Sequence, residues 1–345
     1  MTQIFPAEEP GIAVTIKDVA RTTGLSIATI SKFLNGGNVM EENRVMIERA
    51  ISDLGFRVNE IARGLKTSRT MTVGILIPSL ENIFCTSIVA NVENILLQNG
   101  YSTIICDYRE DRALEHGRLD FLVNKMVDGI IHMPLAHDGG QVASLLAKDI
   151  PVILIDRPLQ GVACDTVLVD NLNASYHAVE HLLVRGHRRI GIIGGPEDIY
   201  TASERLKGYR RVHEDYAIAV DESLVLNGDY RVESGFRLME SFLRRSDRPS
   251  AVYVTNYEMT LGAIMALNEN RTRIPEELSV IGFDNLQMAR IVKPTLTIVV
   301  QPMQAIGETA ANLLLRRLKG DSAGFPAIHR LKTELILGES VQPLA

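Results

Sequence analysis

From Met71 onward this chain repeats one rhythm: a short β-rich apolar run, then a longer amphipathic stretch of helical period. The runs are Val73–Pro78, Ser102–Cys106, Gly129–Met133, Val152–Ile155, Ile190–Ile193, Ala251–Val254 and Ser279–Phe283. A strand that is apolar throughout must be covered on both faces, which is the signature of parallel sheets wound with helices on either side. Seven such runs over about 270 residues exceed what one lobe ordinarily carries. Two similar lobes with a cleft between them are therefore expected, lobe one at about 71–168 and 301–320, lobe two at about 169–300 and 321–345. The chain lacks Trp and is 46% hydrophobic, an aliphatic balance that suits such sheets.

The first seventy residues follow other rules. Residues 1–14, with two prolines and two glutamates, read as a tail. Over 15–58 the period is helical. Ile16, Val19 and Ala20 share one face, Ile30, Phe33 and Leu34 a second, and Ile47, Ala50, Ile51 and Leu54 a third, closed by Gly55. Ala20 is small enough for a close helix crossing, and Gly24 suits the turn between the first two helices. Thr15 and Ser26 are placed to cap them. The pattern predicts a helix-turn-helix, with Ile27, Ala28, Thr29, Ser31 and Lys32 on the outer face. Any compact three-helix bundle is the plainer alternative. Residues 59–70 read as a short helical stretch and a polar linker.

Charge separates the two parts. Thr15–Arg69 holds nine Lys/Arg against six Asp/Glu, whereas Thr70 onward holds 27 against 34. Only the small N-terminal block is suited to sit on phosphates. Cys85, Cys106 and Cys164 are far apart and form no C-x-x-C pair, so reduced buried thiols are expected. No basic-then-apolar leader and no membrane-length apolar run is present, so a cytosolic protein without membrane association is expected. Motifs for a serine nucleophile elbow, a phosphate-binding P-loop and a zinc protease are missing, and no cofactor or metal is expected. Gly194-Gly195 is too little for a phosphate loop. His187 reads as a surface or turn histidine before a strand rather than a catalytic base.

Thr15 to Leu65 resembles the N-terminal signature of the lactose/galactose-repressor (LacI/GalR) family. The matching residues are Thr15-Ile16-Lys17-Asp18-Val19-Ala20, Gly24-Leu25-Ser26, Ala28-Thr29-Ile30-Ser31-Lys32, Leu54-Gly55-Phe56-Arg57 and Asn59-Glu60-Ile61-Ala62-Arg63-Gly64-Leu65. The resemblance continues through Asp156-Arg157, Val169-Asp170-Asn171, Gly186–Ile190, Glu204–Tyr209, Val280–Asp284 and Gln301-Pro302. It implies a homodimeric transcriptional repressor of carbohydrate uptake or catabolism genes, with an all-α helix-turn-helix domain and an α/β two-lobed periplasmic-binding-protein-like core. It also implies double-stranded operator DNA as a partner and a small effector, a sugar or sugar derivative, in the cleft. Ile27, Ala28 and Lys32 match positions that read bases. Thr15, Ser26, Thr29, Ser31 and Asn35 match positions that hold phosphates. Asn59–Lys66 matches a hinge helix, with Leu65 as the minor-groove wedge and Ala62 beside it. A helix this short, weakened by Gly64, needs DNA and a partner to form. The plainer reading of Leu65 is an ordinary packing leucine.

For the effector, the resemblance points to Asn82, Phe84, Asp156, Arg157, Arg205, Asn256 and Asp284. Each lies at or soon after the end of an expected strand, where open α/β sheets bind ligands. Carboxylates and a guanidinium suit hydroxyl-rich sugars. The alternatives are an ion pair between Asp284 and Arg205, a loop-capping role for Asp156 and a core position for Phe84. The chain departs from the family at Val58, at Met40 on the third helix's cap, at Ile83-Phe84-Cys85 in the first wall of the cleft, and at Tyr257-Glu258. Two other function classes share parts of this pattern. A transporter's solute-binding protein has the core but not the N-terminal block, and a sugar-processing enzyme would need catalytic motifs that are missing.

Overall fold

The computed structural model describes residues 14–34, 36–56, 69–135, 137–284 and 286–344. The chain divides into two units, Met1–Thr70 and Met71–Ala345.

The first unit contains α1 (Ile16–Thr23), α2 (Ile27–Leu34) and α3 (Glu41–Leu54). Each helix contributes apolar residues at three- and four-residue spacing. Val19, Ile30, Ile47 and Ala50 meet in a small core, ringed by Ile16, Ala20, Phe33 and Leu54 among others. Gly24 ends α1 at φ 69°, and Gly55 ends α3 at φ 60°. Both are left-handed positions that glycine adopts without a Cβ penalty. Thr15 stands at the N-cap of α1, where its backbone N–H and its Oγ both donate to the Asp18 carboxylate. Met40 stands at the N-cap of α3 and supplies no side-chain cap.

The second unit is built on two six-stranded sheets. The first holds β1 (Thr72–Ile77), β2 (Ser102–Asp107), β3 (Gly129–His132), β4 (Val152–Ile155), β5 (Asp165–Val169) and β11 (Ile328–Leu331). Their order is β11-β5-β4-β3-β1-β2, all parallel. The second holds β6 (Ile190–Gly194), β7 (Val225–Asn227), β8 (Ala251–Val254), β9 (Ser279–Phe283), β10 (Thr297–Val300) and β12 (Glu334–Ile336). Its order, β12-β10-β9-β8-β6-β7, repeats that of the first, except that β12 runs antiparallel to β10.

The central strands are buried on both faces for the reason their composition suggests. In β4, Ile153 and Ile155 enter one apolar cluster and Val152 and Leu154 another on the opposite face. In β8, Val252 and Val254 pack to one side and Ala251 and Tyr253 to the other. Helices α4 (Ile83–Gln98), α5 (Arg112–Asn124), α6 (Gly140–Leu146) and α12 (Met303–Leu318) belong to the first lobe. Helices α7 (Asn171–Val184), α8 (Tyr200–Asp215), α9 (Val232–Leu243), α10 (Tyr257–Glu269) and α11 (Leu286–Ile291) belong to the second.

The chain passes between lobes three times: after β5, after β10, and between β11 and β12. This corrects the expectation that 321–345 belongs wholly to lobe two. Ile328–Leu331 pairs with Thr166–Val169 in the first sheet. The polar β11 is held there by a pair of charges that the local pattern hides. Asp165, at 0% exposure, takes two hydrogen bonds from Arg317 at 2.6 and 3.0 Å and one from the Ala327 N–H.

The three cysteines are free and buried. His187 is also buried, contrary to a surface reading. Its Nδ1 meets Ser250 Oγ at 2.9 Å and its Nε2 meets the Gln342 carbonyl at 3.0 Å. Burial holds its basicity below the usual histidine range. With both ring nitrogens engaged in the turn before β6, it is a structural residue. Among the described residues, no helix is long and apolar enough to cross a membrane.

Candidate functional site

Two surfaces collect the residues singled out above. In the first unit, the N-terminus of α2 is capped by Ser26, whose Oγ accepts the Thr29 N–H at 3.1 Å. The hydroxyls of Ser26 and Thr29 also meet, at 2.9 Å. Ile30 turns inward to the core. Ile27, Ala28 and Lys32 are exposed, and Thr29 and Ser31 are half-buried. An isoleucine left 46% exposed at the start of a capped helix costs apolar hydration unless a partner covers it. Gly37 donates its N–H to the Lys32 carbonyl at 2.8 Å, and a Cβ there would fall 2.6 Å from Lys32 Cγ. A glycine at 37 therefore leaves room for the lysine stem to lie along the helix end. Asn35, Asn59, Ala62 and Leu65 lie outside the described residues.

The second surface is the cleft between the two sheets of the core. All seven residues named for the effector line it: Asn82, Phe84, Asp156, Arg157, Arg205, Asn256 and Asp284. The near-repeat of the two lobes explains why they converge. Asn82 caps α4 by accepting the Cys85 N–H, and Asn256 caps α10 by accepting the Met259 N–H. Asp156 follows β4 and Asp284 follows β9, and each ties its backbone N–H to the next strand, at Val167 and Val299. Both aspartates have left-handed backbones, φ 71° and 77°. For a residue with a Cβ that conformation carries strain, of the kind that collects at binding sites.

The charged groups are held in different ways. Asp156 accepts from Arg157 Nε at 3.1 Å, and Arg157 Nη1 donates to the Pro134 carbonyl. Arg205 donates from Nε to Asn171 Oδ1 at 2.8 Å and from Nη1 to the Thr255 carbonyl at 2.6 Å. Its guanidinium lies 4.0 Å from the centre of the Phe283 ring. Among the described residues Arg205 forms no ion pair with Asp284. Asp284 instead accepts from Gln301 Nε2 at 2.6 Å. Burial pushes the Asp284 carboxyl up to about 6, against the opposing pull of Arg205. Phe84 serves both readings offered for it, since it lines the cleft and packs against the first lobe's core.

Three of the lining residues beyond the expected seven shape the chemistry of the cleft. Glu258 accepts from Asn82 Nδ2 on one oxygen and from Asn256 Nδ2 on the other, both at 2.8 Å, and so joins the lobes. Burial, with Asp284 and Glu110 adding charge, lifts its carboxyl to about 7. Tyr230 precedes α9 and is half-buried in the cleft, where desolvation pushes its phenol up. Gln301 stands where the chain passes from β10 to α12. The departure at Tyr257-Glu258 and the match at Gln301-Pro302 were the available signals for two of them. Tyr230 carried none. Arg112–Asp198 at 3.3 Å and Glu110–Arg231 at 3.6 Å add two further contacts between the lobes.

Comparisons with known proteins agree with this layout. Residues 15–59 match the family model described as bacterial regulatory proteins, lacI family, and 179–341 match a periplasmic binding protein-like domain. Catabolite control protein A of Priestia megaterium is 34% identical over 311 residues, 90% of this chain and 94% of that protein. The HTH-type transcriptional repressor PurR of Escherichia coli O1:K1 / APEC is 35% identical over 307 residues, covering 88% and 90%. Among solved structures, the lac repressor dimer bound to operator and the anti-inducer ONPF superposes with a TM-score of 0.86 at 25% identity, over 96% of this chain and 100% of that one. The transcriptional regulator CelR–cellobiose complex gives 0.71 at 30% identity, over 95% and 99%.

Proposed function

The chain belongs to the lacI family of bacterial regulatory proteins, and from that premise we propose what its two surfaces do. The protein is a dimeric DNA-binding repressor whose operator affinity is set by a small ligand in the interlobe cleft. Its target genes serve carbohydrate uptake or catabolism, and it works in the cytosol as a binding protein rather than an enzyme.

In this reading Ile27, Ala28 and Lys32 meet base edges in the major groove. Ile27 and Ala28 lack hydrogen-bonding groups, so they read thymine methyls and groove shape. Thr15, Ser26, Thr29, Ser31 and Asn35 hold phosphates. Asn59, Ala62 and Leu65 belong to the hinge, with Leu65 opening a base step. One recognition helix covers a half-site, so two copies read a near-palindrome. In the core, Arg205, Asp284 and Asn256 from lobe two and Asn82, Phe84, Asp156 and Arg157 from lobe one surround the effector. Closure of the cleft biases the hinge toward or away from its folded form. The observation that carries the reading is the convergence of seven side chains, spread from position 82 to 284, on one cleft.

The test uses a duplex selected by the full chain from a random library. Lys32→Ala should weaken binding to it by about 1–3 kcal/mol at fixed salt, read by fluorescence anisotropy. Unchanged affinity would remove Lys32 from the reading face.

A further inference from the structure

The polar groups of the cleft are out of balance in one direction. Four carboxylates line it, Glu110, Asp156, Glu258 and Asp284, against two guanidinium groups, Arg157 and Arg205. Asp156 is neutralised by Arg157, and the nearby Glu110 by Arg231. Asp284 is met by a neutral amide, Gln301. Among the described residues Glu258 pairs with no cation, and its two partners, Asn82 and Asn256, are also neutral. The guanidinium of Arg205 already gives two of its donors to Asn171 and Thr255.

Gln301 provides an independent sign of what is missing. It is 4% exposed, and its Nε2 is committed to Asp284, which turns its Oε1 into an acceptor without a hydrogen-bond partner. A buried carbonyl oxygen left unmatched is destabilising, so a bound group that donates to it recovers that loss. This side of the cleft therefore offers two carboxylates, Glu258 and Asp284, against one cation, Arg205, together with the unmet amide oxygen of Gln301 at the crossing between the lobes. Among the described residues no group of three His, Cys, Asp or Glu is arranged to hold a metal ion. A hydroxyl brings an acceptor with every donor. A protonated amine brings three donors, a positive charge and no acceptor.

We infer that the cleft is built for a ligand carrying a protonated amine, an amino sugar, and that Glu258 with Gln301 is the subsite that receives the ammonium group. This rests on the reading of the cleft as the effector site and narrows it. Sugar hydroxyls are left to Asp284, Arg205 and Asn256, while a phosphorylated sugar would set its charge against Glu258 and Asp284.

The experiment is calorimetric titration of the full-length protein with glucosamine and galactosamine, their N-acetyl forms, and the parent glucose and galactose. At least one hexosamine should bind ten times more tightly than both its parent hexose and its N-acetyl form. In Glu258→Gln the ratio of hexosamine to parent-hexose affinity should fall to about one. Glu258→Asp, which keeps the charge, should restore part of the preference. Asp284→Asn should weaken amine and parent together. A parent or N-acetyl sugar that binds as tightly as the amine overturns the inference, as does a preference that survives Glu258→Gln, or a panel in which nothing binds. A parent hexose that binds as tightly as its amine, and whose binding is lost in Asp284→Asn, would overturn the amine subsite and leave the effector cleft standing.

Discussion

The two lobes repeat one plan and differ in what they show the cleft. Each ends a central strand in an aspartate with left-handed backbone, Asp156 or Asp284, and caps a cleft-facing helix with an asparagine, Asn82 or Asn256. In lobe one the aspartate is already matched by its neighbour Arg157, and Phe84, Cys85 and Met133 add soft apolar surface beside Ser79, Asn82 and Glu110. In lobe two the aspartate meets only an amide, and Arg205, Tyr230 and Glu258 surround it. A duplicated scaffold thus yields one wall whose aspartate is already paired with a cation and one whose aspartate is not. In the proposed reading, lobe two identifies the ligand through charge and hydrogen bonds, and lobe one closes over it.

The comparison is broken most directly at Asp284. Its replacement by asparagine removes a buried charged acceptor and should cost about 2–3 kcal/mol of effector affinity, measured by calorimetry, with the ligand-free fold retained. The second test uses pH. The Glu258 carboxyl sits near 7 in the folded protein against an ordinary 4.5. A group that holds its proton more tightly when folded stabilises the fold fully below about 4.5, and that stability is lost as pH rises to about 7. Asp284, also raised, acts with the same sign. These two carboxyls should therefore give up stability in the ligand-free protein between about pH 4 and 7. Glu258→Gln should flatten part of that slope, by about 1–2 kcal/mol, in denaturant melts at each pH. The smallest effect is expected from Asp156→Asn, about 1 kcal/mol of effector affinity, because Arg157 already screens that carboxylate. A loss equal to that of Asp284→Asn would end the asymmetry between the lobes.

How much of this was legible beforehand depended on where each residue's partner lay. Six of the seven strands apparent in the sequence are apolar runs whose burial is written in their own side chains, while β2, at the sheet edge, leaves Ile105 exposed. Of the five strands that were missed, β10 (Thr297–Val300) is an apolar run like these, and the others are of another kind. β7 and β12 are three residues long, β11 reads Ile-His-Arg-Leu, and β5 opens on Asp165. Asp165 is buried only because Arg317, 152 positions later, folds onto it. The same holds in the cleft. The seven expected lining residues follow apolar strands, so strand ends could place them. Glu258 gains its role from Asn82, 176 positions earlier, and Tyr230 follows no strand end that local pattern reveals. The N-terminal unit was the most legible, since every contact in its core joins helices adjacent in sequence or separated by one.

The central claim is that occupancy of the cleft sets operator affinity. It is tested most directly by titrating selected operator duplex with full-length protein, with and without a cleft ligand, in wild type and in Asp284→Asn. Wild-type affinity should shift by about 5–150-fold, in one direction for an inducer and the other for a corepressor. Asp284→Asn should keep the ligand-free affinity and lose the shift. A variant that responds like wild type, or a wild-type protein whose operator affinity ignores a ligand bound in the cleft, would contradict the account.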